Sequence, residues 1–136
     1  MNRQETEKLI ARYYAAFNAA DPAGMLAVVS DDIEHRVNEG ATRLGRAKFE
    51  EFCAHMGVSY REELRDMVIF ASEDGSRAAA EFTVHGEYLQ TDPGLPEAKG
   101  QRYILPAGAF FDVKDGRITR VTTFYNLADW TAQVSA

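Results

Sequence analysis

Residues 101–126 read QRYILPAGAFFDVKDGRITRVTTFYN. Two runs rich in β-branched and aromatic residues flank Lys114-Asp115-Gly116-Arg117. Asp-Gly in such a setting predicts a two-residue type I′ turn, which needs positive φ at both central residues, and therefore a long antiparallel hairpin. Alternation along the first arm separates Tyr103, Leu105, Ala107, Ala109 and Phe111 from Ile104, Pro106, Gly108 and Phe110. Both sets are apolar, and a strand apolar on both faces needs cover on both sides. The reading turns Phe110 inward and leaves Leu105 and Phe111 outside; a bulge at Pro106 would exchange the two faces partway along.

The segments before the hairpin supply what it packs against. Residues 77–90 alternate, with Ala78, Ala80, Phe82, Val84, Gly86 and Tyr88 on one face and Glu81, Thr83, His85 and Glu87 on the other. A second Asp-Gly pair, Asp74-Gly75, joins them to a strand over 62–72 carrying Leu64, Met67, Val68, Ile69 and Phe70. Further upstream, Leu9, Ile10, Tyr13, Tyr14 and Phe17 recur at helical spacing over 3–19, with Asn2 and Glu5 placed as a capping box. Asp21-Pro22 starts a second, shorter helix whose buried face includes Met25, Leu26, Val28 and Val29. A short strand is expected over 32–38, a loop over 41–45, and a third helix over 46–56 stopped by Gly57. Residues 90–100 form a longer loop, and 127–136 a tail with a helical turn around Trp130. Helices first and strands after give an α+β domain: three N-terminal helices packed on one face of a curved, mostly antiparallel sheet, a cone with an apolar interior.

The totals narrow the function classes. At 136 residues the chain makes one domain, 1–136, large enough for a core without staples. A net charge of -6 without a basic cluster argues against nucleic acid and against anionic membrane surfaces. No apolar run reaches membrane-spanning length, and the charged N-terminus has no signal-peptide core. Cys53 is alone, so a reducing compartment, the cytoplasm, is the simpler expectation. His35, His55 and His85 lack paired ligand spacing; no metal and no cofactor is expected.

Several side chains carry candidate chemistry. Tyr13 is a phenol on an apolar helix face; it can donate to a ligand oxygen, or to a backbone carbonyl as a core tyrosine. His35 shares an alternation set with Ile33 and Val37, so it either enters the cavity or bonds Asp31, Asp32 or backbone. Asn38 and Glu39 end the same strand. A one-residue bulge would swing one of them inward as a general base; otherwise they are a solvated turn. Phe17, Phe52, Phe82, Val84, Tyr88, Phe110, Thr123 and Tyr125 are the expected lining.

The segments ARYYAAFNAADPAGMLAVVSDDIEHRV, KFEEFC, EFTVHGEYLQ and DGRITRVTTFYN resemble the nuclear-transport-factor-2-like superfamily, and within it ketosteroid isomerases and SnoaL-like polyketide cyclases. The isomerase resemblance implies a tyrosine donor to an enolate oxygen at Tyr13, a general base at the place of Val37, and a second, protonated acid at the place of Gly108. Only the tyrosine is present in this sequence. The expectation is cofactor-free proton transfer, of isomerase, cyclase or dehydratase type, on a small apolar carbonyl or enol compound. The alternative is a ligand-binding or assembly module without chemistry. The unpaired outer sheet face, together with the resemblance, implies a homodimer.

Overall fold

Turn chemistry at Asp115-Gly116 sets the architecture as read. In the computed structural model, which describes residues 1–135, both central residues have positive φ, 52° and 75°. The turn joins β5 (Arg102–Lys114) to β6 (Arg117–Tyr125), which pair antiparallel. Before them come α1 (Arg3–Asn18), α2 (Pro22–Leu26), β1 (Val29–Val37), β2 (Arg43–Leu44), α3 (Arg46–Ser59), β3 (Tyr60–Ala71) and β4 (Arg77–Tyr88). After them comes α4 (Leu127–Ser135). The six strands form one mixed sheet in the order β2-β1-β6-β5-β4-β3. Every pairing is antiparallel except β1 with β6, which is parallel.

The expected α+β cone is the fold. Register shifts in β1–β6, β3–β4 and β5–β6 bend the sheet. Helix α3 touches both β2 and β3, the two end strands of the sheet order, so the concave side wraps around the helices. The capping box at Asn2 and Glu5 and the Asp21 cap on the Gly24 amide start α1 and α2 as read.

Local readings failed where tertiary contacts took over. Val28 and Val29 do not face the core from a helix; Val29 begins β1. Arg43 and Leu44, expected in a loop, pair with His35 and Glu34. Gly57 does not stop α3. The helix runs on to Ser59, whose carbonyl accepts the Leu89 and Gln90 amides at 2.8 and 3.3 Å, so the chain just past β4 caps it. Asp74 does not sit in a two-residue turn; its carboxylate accepts Ser72 Oγ, Ser76 Oγ and the Ser76 amide, and only Gly75 has positive φ. Leu127–Ser135 of the tail is a helix, and Gln133 on it accepts the Ile104 amide and donates to the Ile104 carbonyl, both at 2.9 Å. It completes the β5 ladder past the point where β6 ends.

The two faces of β5 are the reverse of the expectation. Tyr103, Leu105, Ala109 and Phe111 are buried, Phe111 fully, whereas Ile104 is 58 % and Phe110 49 % exposed. Phe110 therefore lies outside the cone and lines no cavity. Pairing with β4 is unbroken from Arg77↔Asp112 to Glu87↔Arg102, so Pro106 introduces no bulge. Its missing N–H points to the side where β6 has ended, and breaks no ladder bond. Phe111→Ala should cost about 3–5 kcal/mol in urea unfolding and Phe110→Ala well under that; equal costs would mean that the inward face has been misassigned.

Candidate active site

The concave face and helices α1–α3 enclose a cavity of about 300 Å³, at the lower end of the small-molecule range. Tyr13, Tyr14, Phe17, Met25 and Leu64 line one side, with Phe52 and Met56 from α3. Phe82, Val84, Leu105, Ala107, Thr123 and Tyr125 supply the sheet floor, joined by Leu95 from the loop after β4 and Trp130 from α4. Trp130 packs edge-on to Tyr88 and Tyr103, at ring-centre distances of 5.0 and 5.8 Å.

Tyr13 and His35 meet here, as the spacing predicted. Tyr13 is buried against Tyr14, Phe49 and Phe111. Burial, then Tyr14 and Cys53, hold its phenol well above the usual range, so it stays a protonated donor. Tyr14, one residue on, also lines the cavity and packs against Phe82 and Phe111. His35 is 3 % exposed between Phe49 and Phe52, with ring centres 5.2 and 4.3 Å away. Neither Asp31, Asp32 nor a backbone group bonds its Nδ1, which has no partner at all. Burial first, and Arg43 second, lower its pKa to about 4, so it is a neutral imidazole near pH 7. A bare lone pair is the less costly orphan, which puts the ring proton on Nε2.

Asn38 and Glu39 do not enter the site. Residues 34–37 pair with 120–123 without a slip, so no bulge swings them inward. Asn38 adopts positive φ and ends the strand: its amide donates to Thr123 O and its Oδ1 accepts the Tyr125 amide, both at 2.9 Å. Glu39 is exposed. Tyr88 is fully buried and is an anchor instead of lining: its hydroxyl donates to Pro96 O at 2.7 Å and accepts the Asp92 amide at 2.9 Å, pinning the loop over 89–101. Val37 lines the cavity, but Gly108 is in the outward set of β5, so the position carried over for a second acid faces away from it.

The acids of the cavity are Glu62 and Asp92, neither singled out from the sequence. Glu62, Gly86 and Tyr103 stand in one row across β3, β4 and β5. A Cβ on Gly86 would overlap the Tyr103 ring; without it the ring crosses the β4 backbone and its hydroxyl donates to Glu62 Oε2 at 2.5 Å. Burial raises the Glu62 pKa and the Tyr103 bond lowers it in part. Asp92 Oδ2 accepts Tyr60 Oη at 2.7 Å and lies 3.0 Å from His55 Nε2. The legible signal for Glu62 was its place in the inward set with Leu64: a carboxylate in an otherwise apolar row. Asp92 sits in an irregular loop and gave none. Among the described residues no three His, Cys, Asp or Glu side chains gather in a way that could hold a metal ion.

The SnoaL-like domain model matches residues 10–121. This chain belongs to the SnoaL-like family. A crystal structure of a candidate polyketide cyclase from Silicibacter sp. tm1040 is 62 % identical over 100 % of this chain and 99 % of that one, with a TM-score of 0.96. Candidate polyketide cyclases from Pseudomonas putida kt2440 and Xanthomonas campestris pv. campestris are each 53 % identical. They cover 95 and 98 % of this chain and 97 and 99 % of theirs, with TM-scores of 0.94 and 0.95. No curated protein sequence matches. No helix among the described residues is long and apolar enough to cross a membrane.

His35 gives this SnoaL-like domain a testable pH response. The unfolded chain takes up its proton near the ordinary pKa of 6.5, the folded chain only near 4. Between those values the unfolded state binds more protons, so stability falls as pH drops through this window, by about 3 kcal/mol from this group. The raised pKa of Glu62 acts in the opposite sense, and a His35→Phe comparison isolates the histidine. Urea unfolding from neutral to acidic pH should show a shallower loss in the variant; parallel curves would remove His35 as the cause.

Proposed function

We propose that this protein is a SnoaL-like cyclase or isomerase that moves a proton, without a cofactor, on a small, largely apolar carbonyl or enol compound held in the cone. The observation that carries the reading is Glu62: a desolvated carboxylate with a raised pKa, fixed by Tyr103, facing an apolar cavity. A base poised closer to neutrality than an ordinary glutamate suits abstraction of a proton next to a carbonyl. Glu62 takes the carbon-bound proton, and the electron pair moves onto the carbonyl oxygen. Tyr13, and the neutral imidazole of His35 through Nε2–H, donate to the resulting enolate. Returning the proton to another carbon completes an isomerisation. Attack of the enolate carbon on a second carbonyl of the same molecule, whose oxygen then takes the proton, closes a ring. The names of the similar crystal structures support the cyclase class. The open cavity supports a ligand-taking protein over a filled assembly module. Placement in the cytoplasm is part of the proposal; Cys53, a buried free thiol with its pKa pushed up to about 11, suits a reducing compartment.

Exchange of the α-protons of 2-tetralone in deuterated buffer, followed by NMR, reads the chemistry without the native substrate. The wild type should accelerate exchange over buffer, and Glu62→Gln should lose roughly 10²-fold or more of that acceleration. An unaccelerated wild type, or a fully active Glu62→Gln, would overturn the reading.

The same proposal includes a homodimer through the outer sheet face, with the residues corrected. Phe70, Ala79, Phe110 and Thr122 form one row across β3–β6, and Val68, Glu81, Gly108 and Phe124 the next. Val68, Phe70, Phe110 and Phe124 are about half exposed, and the rings of Phe110 and Phe124 lie 6.0 Å apart. Helix α4 does not cover them. A contiguous patch of this kind marks an interface. Light scattering should give a dimer mass, and Phe110→Glu a folded monomer; a monomeric wild type refutes it.

A further inference from the structure

We infer that the cavity takes a ligand bearing a single carboxylate, bound by Arg43. The inference rests on the ligand-binding half of the reading above and names the class of compound. β2 is only two residues long, and its pairing sets Arg43 directly opposite His35, on the inward side, while the adjacent Leu44 is exposed. Arg43 is the only arginine or lysine among the described residues on the cavity wall. Its guanidinium carbon lies 4.7 Å over the Phe52 ring, which holds the side chain in place through a cation–π contact. No carboxylate among the described residues comes within ion-pair distance of it, although five other arginines pair with aspartate or glutamate.

A second observation points the same way. The cross-strand neighbour of Arg43 is His35, almost fully buried and neutral near pH 7, so it adds no second positive charge beside the guanidinium. A permanent cation and a neutral imidazole donor thus share one end of an apolar chamber, while the acids, Glu62 and Asp92, come from β3 and the loop after β4. A guanidinium without a carboxylate partner is the complement of an anion. One guanidinium matches one negative charge. A doubly charged phosphate would leave a charge uncompensated in a chamber that already holds two acidic side chains. Arg43, Phe52 and His55 also line an adjoining outer hollow with Lys48 and Glu51, so the guanidinium stands where this hollow meets the chamber. The carboxylate is held there and the apolar body, with its carbonyl, lies inward toward Glu62.

Binding of 4-phenylbutanoate and of its neutral isostere 4-phenylbutanamide, measured by calorimetry at low salt, tests this. The wild type should bind the carboxylate roughly tenfold more tightly than the amide. Arg43→Gln should abolish the preference, chiefly by weakening binding of the carboxylate, and Arg43→Lys should keep part of it. Matched melting temperatures confirm that the variants fold; the wild-type comparison needs no variant. A carboxylate bound no more tightly than the amide, including the case in which neither binds, overturns the inference, as does a preference that survives Arg43→Gln. The readout is binding, so it can fail while Glu62 still moves protons, and can succeed in a cavity that catalyses nothing.

Discussion

A carboxylate set among aromatic rings must find a donor inside the protein, and at Glu62 that donor can arrive only across a missing side chain. Gly86 stands between Glu62 and Tyr103 in the cross-strand row, and its bare Cα lets the tyrosine ring reach over the backbone. Desolvation and hydrogen bonding then act on the acid in opposite directions, with desolvation the larger. The carboxylate is destabilised enough to be reactive and partnered enough to be tolerated. Tyr103 is held in turn by Trp130, so the C-terminal helix, far along the chain, supports the acid through one aromatic contact.

The remaining polar groups of the cavity are arranged by the same logic. Tyr13, Tyr14, Tyr60, Tyr103 and Tyr125 all have raised pKa values, Tyr125 to about 12, chiefly because burial disfavours the phenolate. They remain donors at any physiological pH. The backbone amides and carbonyls around them are used up by the ladder, by Asn38 at the end of β1 and by Gln133 beside Ile104. Tyr60 and Tyr103 already donate to Asp92 and Glu62, so the chamber offers a ligand the phenols of Tyr13, Tyr14 and Tyr125, one cation and two acids.

The fold was legible because its signals are local. Asp115-Gly116 has one economical conformation, the capping box at Asn2 is a short-range motif, and the alternation of residues 77–88 is clean. The inward side of β5 was not, since both of its alternation sets are apolar and nothing within the strand distinguishes them. Its partners decide: Tyr103 must face Gly86 and Glu62, and Phe111 must meet Tyr13 and Tyr14. That error carried Phe110 into the lining and Gly108 into the carried-over acid position. Within the site, Tyr13, His35, Phe17, Phe52, Phe82, Val84, Thr123 and Tyr125 were found by periodicity and resemblance. Asn38 and Glu39 were chosen for their chemistry at a strand end, where backbone demands claimed the first and solvent the second. Arg43 was hidden because a two-residue strand has no pattern of its own.

The parallel contact between β1 and β6 joins residues 29–37 to residues 117–125, while β1 has only the two residues of β2 on its other edge. During synthesis, β1 must therefore wait for nearly the whole chain to emerge before its main partner exists. The hairpins β3–β4 and β5–β6 close over short loops and form first by that measure. A chain without residues 117–125 has no main partner for β1, and the edge left open carries the acids of DDIE, whose charge disfavours pairing with other chains.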